Sequence, residues 1–313
     1  MNFETIFINE AGRLRSGWRF TIFMLSFLLT TTVVIGAAAV VLMSLPVGFT
    51  TSSLLSFVLQ FTVSAAVVIF FGWLYGRIFE DLPFRALGLW ITKNWFMNLL
   101  WGLAIGAASI GLAALIAFAA GGMTFRFNDS AGTAAILLTL GTTLVIFIFG
   151  ALFEEAFLRG YALQTFSRAR LGVFGAVFTS LIFATMHNAN PGANPLSWLN
   201  TFLAGIWFAA AYFRSRDLWL PFGLHLAWNW FQGSFFGISV SGLDWLTPAP
   251  LMKATDAGPV WLTGGGYGLE GGIACTIALI ISTALIHFLP VFKPSDEMIA
   301  FSTEEKPKNQ RDY

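Results

Sequence analysis

The sequence predicts an all-α polytopic membrane protein, with about eight transmembrane helices around an intramembrane cavity. Hydrophobic residues make up 57% of its 313 positions and charged residues only 11%. A soluble domain carries roughly 25% charged residues, so this chain lacks the side chains for an ordinary water-facing surface. Apolar runs near the ~20 residues needed to cross the hydrocarbon recur along most of its length. Helices suit them because backbone groups in lipid must be satisfied within their own segment. The third observation is where cations fall. Of 17 lysines and arginines, all but Arg126, Arg159 and Lys253 lie on one side of an alternating eight-span topology, which reads as the cytoplasmic side because positive charge is retained there.

Taken in order, residues 1–19 set Phe3, Ile6, Phe7 and Ile8 beside Arg13, Arg15 and Arg19, an amphipathic stretch expected along the cytoplasmic membrane surface. No cleavable signal peptide is expected, because the first apolar run exceeds the ~7–15 residues of a signal core and carries no small-residue cleavage site. Spans follow at about 20–45, 54–76, 97–120, 133–167, 172–190, 197–213, 217–235 and 271–290, giving one helical domain over 20–290. Gly102 and Gly106 in the third span allow close helix approach, within the chain or between copies. Trp18, Trp90, Trp95 and Trp219 stand at span ends as interfacial anchors. The outer loop 236–270 has the length of a lid or binding loop. The charged tail, 291–313, is expected to be cytoplasmic and disordered. A net charge of +1 gives no sign of a nucleic-acid partner. The single Cys275 forms no intrachain disulfide and reads as apolar packing.

The polar exception lies at Gly150-Ala-Leu-Phe-Glu-Glu-Ala-Phe-Leu-Arg-Gly-Tyr161, where two carboxylates and an arginine interrupt an apolar span. Charges in a bilayer cost at least ~2.5–3.5 kcal/mol each, so such residues face a bundle interior and serve a function. Glu155 and Arg159 are four apart with the acid first, the favourable order for an ion pair. Glu154 points roughly 100° away round the helix, which leaves it free as a general base. Only three histidines occur. Glu154 lies sixteen residues before Arg170 and His187 seventeen after it, so in a helix hairpin both sit ~25 Å from the turn, at one level. His225 enters from the same side on a third helix, and Asn229 shares its face. His287, near the end of the last span, is given no chemical role.

Two chemistries suit these residues. Glu154 and His187 can activate a water while His225 and Asn229 donate to the oxyanion of a cleaved amide. Alternatively, Glu154, His187 and His225 can hold a divalent metal such as zinc, with a bound water as nucleophile. The sequence contains no H-E-x-x-H, and both routes stay open.

These residues resemble the CPBP family of intramembrane proteases, which includes CAAX proteases and bacteriocin-processing enzymes and is also called Abi. The resemblance rests on Glu154-Glu155-Ala-Phe-Leu-Arg159, Phe183-Ala-Thr-Met-His187 and His225-Leu-Ala-Trp-Asn229 in that order, with Gly160 and Arg85-Ala-Leu-Gly-Leu89 as further likenesses. It covers a core of about 133–235. It implies an intramembrane endopeptidase acting on a membrane-associated peptide or protein, with Glu154, Glu155, Arg159, His187, His225 and Asn229 as site residues. The expected location is multi-pass in a bacterial plasma membrane, with both termini cytoplasmic. The alternative function is a non-catalytic membrane immunity or peptide-binding protein. A proton-coupled transporter has less support, since no inverted repeat is evident. No feature of the sequence shows recognition of a prenyl group.

Overall fold

The computed structural model describes residues 4–44, 53–305 and 307. The chain runs α1 (Glu4–Phe7), α2 (Ser16–Ser44), α3 (Ser53–Glu80), α4 (Trp95–Ala119), β1 (Met123–Phe127), α5 (Thr133–Phe157), α6 (Leu163–Arg168), α7 (Gly172–Met186), α8 (Pro195–Ser215), α9 (Trp219–Trp230), β2 (Met252–Asp256), α10 (Val260–Thr263), α11 (Ile273–Phe288) and α12 (Asp296–Thr303). It is an all-α integral membrane protein. Among the described residues six helices are long and apolar enough to cross a bilayer, ending at Val41, Glu80, Ala119, Arg168, Ala189 and Ser215. The other two expected spans correspond to α9 and α11, of 12 and 16 residues. Apolar side chains such as Leu29 and Leu138, 70% and 67% exposed, cover the outside, as lipid-facing surface should.

Helix α9 is short because it is central, buried from Leu220 to Trp228. Glycines let α4 lie against it. A Cβ on Gly102 would stand 2.4 Å from the Leu220 carbonyl, and one on Gly106 would stand 2.4 Å from that of Leu224. The G-x-x-x-G pair thus packs within the chain. Helix α8 starts at a capping box in which Asn194 Oδ1 accepts from Leu196 N and Ser197 N, while Ser197 Oγ accepts from Asn194 N.

The tail differs from expectation, and the N-terminal segment and the outer loop carry contacts the sequence did not show. In the N-terminal segment Arg15 is exposed, while Arg13 and Arg19 are buried. Arg19 is fully buried and reaches Glu80 Oε1 at 2.6 Å; Arg168 reaches the same carboxylate at 2.7 and 2.9 Å. Arg13 is bound by Asp81 and by the Phe79 carbonyl. These partners lie over sixty residues away, at the far end of α3, beyond what a local pattern can show. The tail is ordered over Asp296–Thr303. Ser295 caps that helix, Met298 and Ser302 are buried, Glu297 pairs with Arg85 at 2.8 Å, and Glu305 pairs with Arg19. The outer loop is also folded. Strands β1 and β2 pair antiparallel from Met123↔Asp256 to Phe127↔Met252, and glycines close the rest. At Gly268, with φ +93°, a Cβ would stand 2.0 Å from the Ser239 carbonyl.

Between α8 and α9, Asp217 is buried, with Asn98 Nδ2 donating to it at 2.6 Å and Trp219 N at 3.1 Å. Burial lifts its carboxyl to about 6. The folded chain therefore keeps a proton there that the unfolded chain has already released. The stability from that proton is full below the ordinary aspartate range and is lost as pH rises to about 6. Melting temperatures in detergent should carry this component as they change between about pH 4 and about pH 6, and Asp217→Asn should remove it.

Candidate active site

The site grows out of a break in α5. After Glu154 and Glu155 the helix widens into a π turn over Leu158–Ala162, where Gly160 has ψ −130°. Such turns recur at functional sites because they re-aim side chains. Arg159 stands in this turn, fully buried. Its Nη1 donates to Glu155 Oε1 at 3.3 Å and its Nη2 to the Gly205 carbonyl at 3.0 Å. The guanidinium lies between the rings of Phe183 and Phe208, at 4.9 and 5.0 Å from their centroids. Gly205 makes this possible, since its lack of a side chain lets α8 meet Ser180 of α7.

Glu155 Oε1 also accepts from His225 Nδ1 at 2.9 Å. Because an ionised carboxylate only accepts, this bond places a proton on Nδ1. His225 stacks on Phe208 at 4.6 Å and 16°. Its Nε2 then faces Glu154 Oε2 at 3.4 Å. The two neighbouring acids thus hold opposite edges of one imidazole. Glu154 was expected to lack an intrahelical partner; its partner comes from α9.

His187 follows the last residue of α7, in a single 3₁₀ turn of His187–Ala189. Its Nδ1 donates to the Phe183 carbonyl at 2.8 Å, and its ring meets the Phe183 edge at 4.7 Å. The carbonyl fixes this tautomer and leaves Nε2 as an acceptor. Glu154, His187, His225 and Asn229 line one cavity of about 210 Å³. Room of this size admits a peptide group and its attacking water, given ~30 Å³ per water. Glu154 and His187 thus face the same cavity. The site lies at the end of the bundle away from the α6–α7 turn, and Val240, Ser241, Leu243, Leu246 and Glu270 of the outer loop form part of its wall.

Sequence reasoning missed Phe208, which carried no motif, and the wall residues Asn190, Asn200, Ser241 and Glu270. Glu270 did leave a signal as the acid within the glycine-rich run 264–272 just before the last apolar run. Among the described residues, no group of three or more His, Cys, Asp or Glu side chains is placed to hold a metal ion. Glu154, His187 and His225 share a cavity without forming such a group.

Residues 135–231 match the family described as type II CAAX prenyl endopeptidase Rce1-like. Neither the curated proteins nor the solved structures yield a match to the chain.

A Cβ at Gly205 would stand 2.6 Å from Ser180 Cβ. Gly205→Ala should therefore force α7 and α8 apart and draw a carbonyl from Arg159, destabilising the protein by ~1–3 kcal/mol. Thermal unfolding in detergent checks this, and an unchanged melting temperature would contradict the packing.

Proposed function

We propose that this chain, whose residues 135–231 belong to the Rce1-like family of CAAX endopeptidases, hydrolyses a peptide bond of a membrane-associated substrate in the cavity under the outer loop. At the family level it is a CAAX-type intramembrane protease, a peptide hydrolase. The observation that carries the finer reading is the division of labour between the two glutamates. Glu155 is committed to Arg159 and His225. Glu154 reaches the cavity, where it faces His225 Nε2.

The steps follow from those contacts. Glu154 takes a proton from a water in the cavity, and His187 Nε2 accepts a hydrogen bond that orients the same water. The water oxygen bonds to the scissile carbonyl carbon, and the carbonyl electrons move onto its oxygen. Asn229 Nδ2 donates to that oxyanion, while His225 Nε2 faces Glu154. When the tetrahedral intermediate collapses, the C–N bond breaks and Glu154 returns its proton to the leaving amine. No step is routed through a metal; among the described residues no group of three or more His, Cys, Asp or Glu is placed to hold one, which supports the metal-free route. Lysine and arginine bias supports cytoplasmic termini, which sets the cavity nearer the opposite face of the membrane.

Wild type and Glu154→Gln are compared at equal level by mapping protein termini in membranes of the cells that make them. New termini should appear with wild type alone, and purified protein should lose ~10²–10⁴-fold in rate with the substitution at an unchanged melting temperature. Identical termini, with the variant still supporting the protein's biological role, would overturn hydrolysis and leave binding without cleavage. Asn229→Ala should slow turnover by ~10²–10³-fold. Chelators should leave cleavage intact; loss restored by added zinc would establish the metal route instead.

A further inference from the structure

The roof of the cavity brings in an acid that the hydrolysis does not use. Glu270 lines the same cavity as Glu154, from a different part of the chain. Its Oε2 accepts from the Ser241 main-chain N–H and from Ser241 Oγ at 3.0 Å. Asn200 Nδ2 donates to the Glu270 carbonyl at 2.8 Å, and Asn190 Nδ2 to the Ser241 carbonyl at 3.0 Å. The carboxyl is thus fixed in place.

The groups that meet it are neutral donors, Ser241 and Gln232, and its titratable neighbours are His187, Tyr267 and Cys275. Among the described residues lining the cavity there is no lysine or arginine. Arg159 is enclosed by Phe183 and Phe208 and committed to Glu155 and Gly205. Burial pushes the Glu270 carboxyl up, while the bonds from Ser241 and Gln232 pull the other way. An acid held rigidly in a buried wall that has no lysine or arginine gains most from a cation that arrives with a ligand.

We infer that Glu270, held by Ser241, is a specificity-determining subsite for a cationic group of the substrate, an ammonium or guanidinium beside the scissile bond. The same wall disfavours a carboxylate there, since Glu154 and Glu270 are both acids. The substrate class that fits is an internal bond of a membrane-associated peptide with a lysine or arginine close to the cut. Binding of the cation needs only the cavity; its bearing on cleavage rests on the hydrolase reading above. A purely structural Glu270, joining two segments of the roof through Ser241, would show no preference for charge.

The test uses the full chain in lipid nanodiscs, with Glu154→Gln to prevent turnover, with and without Glu270→Gln. Apolar peptides blocked at both ends carry lysine, norleucine or glutamate at successive positions, and a norleucine peptide with a free amino terminus separates a chain-end ammonium from a side chain. Glutamine keeps an acceptor for Ser241 and loses the charge. Lysine should bind about tenfold tighter than norleucine at one or two positions, the size of one charge-assisted hydrogen bond, and Glu270→Gln should bring that ratio to about one. A ratio that survives Glu270→Gln, or no lysine preference at any position, overturns the subsite. Should Glu270→Gln fail to fold, the lysine-to-glutamate ratio of the protein with Glu270 intact decides, and a ratio at or below one overturns it. The same peptides offered to the chain with Glu154 intact separate the two readings. Lysine preference without cleavage of any peptide keeps the subsite and removes the hydrolase; cleavage without preference does the reverse.

Discussion

The buried carboxylate of Glu155 is the contact on which the rest of the site depends. It belongs to α5, accepts from Arg159 in the π turn and from His225 on α9, and through Arg159 it reaches the Gly205 carbonyl on α8. Phe183 of α7 closes the arrangement against the guanidinium. Four helices thus meet at one ion pair. Removing one partner of such a pair leaves an uncompensated charge, at about 3–5 kcal/mol. The arrangement also explains why two adjacent glutamates are present. One is consumed in holding the imidazole, and only the other is free for chemistry.

The two ends of the bundle are built differently. At the end bearing the α6–α7 turn, Glu80 gathers Arg19 and Arg168, and the N-terminal segment and tail are drawn in as Arg13 meets Asp81 and Glu305 meets Arg19. That end carries most of the cations and holds Arg19 and Arg168 in buried pairs. At the other end a glycine-rich loop, stiffened by the β1–β2 pair, folds over the cavity. Its wall carries acids and amides. A substrate drawn from the membrane would therefore meet apolar walls, a fixed catalytic pair and an acidic roof.

Much of this was legible in the sequence because apolar periodicity and helix geometry are local. The eight apolar segments, the Glu155–Arg159 pair and the common level of Glu154 and His187 all follow from counting residues along helices. What escaped was set by distant partners. Arg19 reads as a headgroup-facing cation until Glu80 arrives from α3, and the tail reads as disordered until Arg19 and Arg85 bind its acids. Phe208 is one more apolar residue in an apolar span; only the fold shows it stacked on His225 and Arg159. The π turn is invisible to a 3.6-residue count, which carries α5 straight on to residue 167. Glu270 reaches the cavity through a loop whose path depends on glycines at positive φ, and no periodicity encodes that.

The division between the two glutamates is tested most directly by nitrogen NMR of the histidine side chains. The chain has only three histidines, so ¹⁵N-histidine protein in nanodiscs gives signals that single substitutions can assign. His225 Nδ1 should carry a proton and shift when Glu155 is changed to Gln, while Nε2 responds to Glu154→Gln. An unprotonated Nδ1, or two nitrogens that respond to the same glutamate alone, would contradict the separation of a holding acid from a working one.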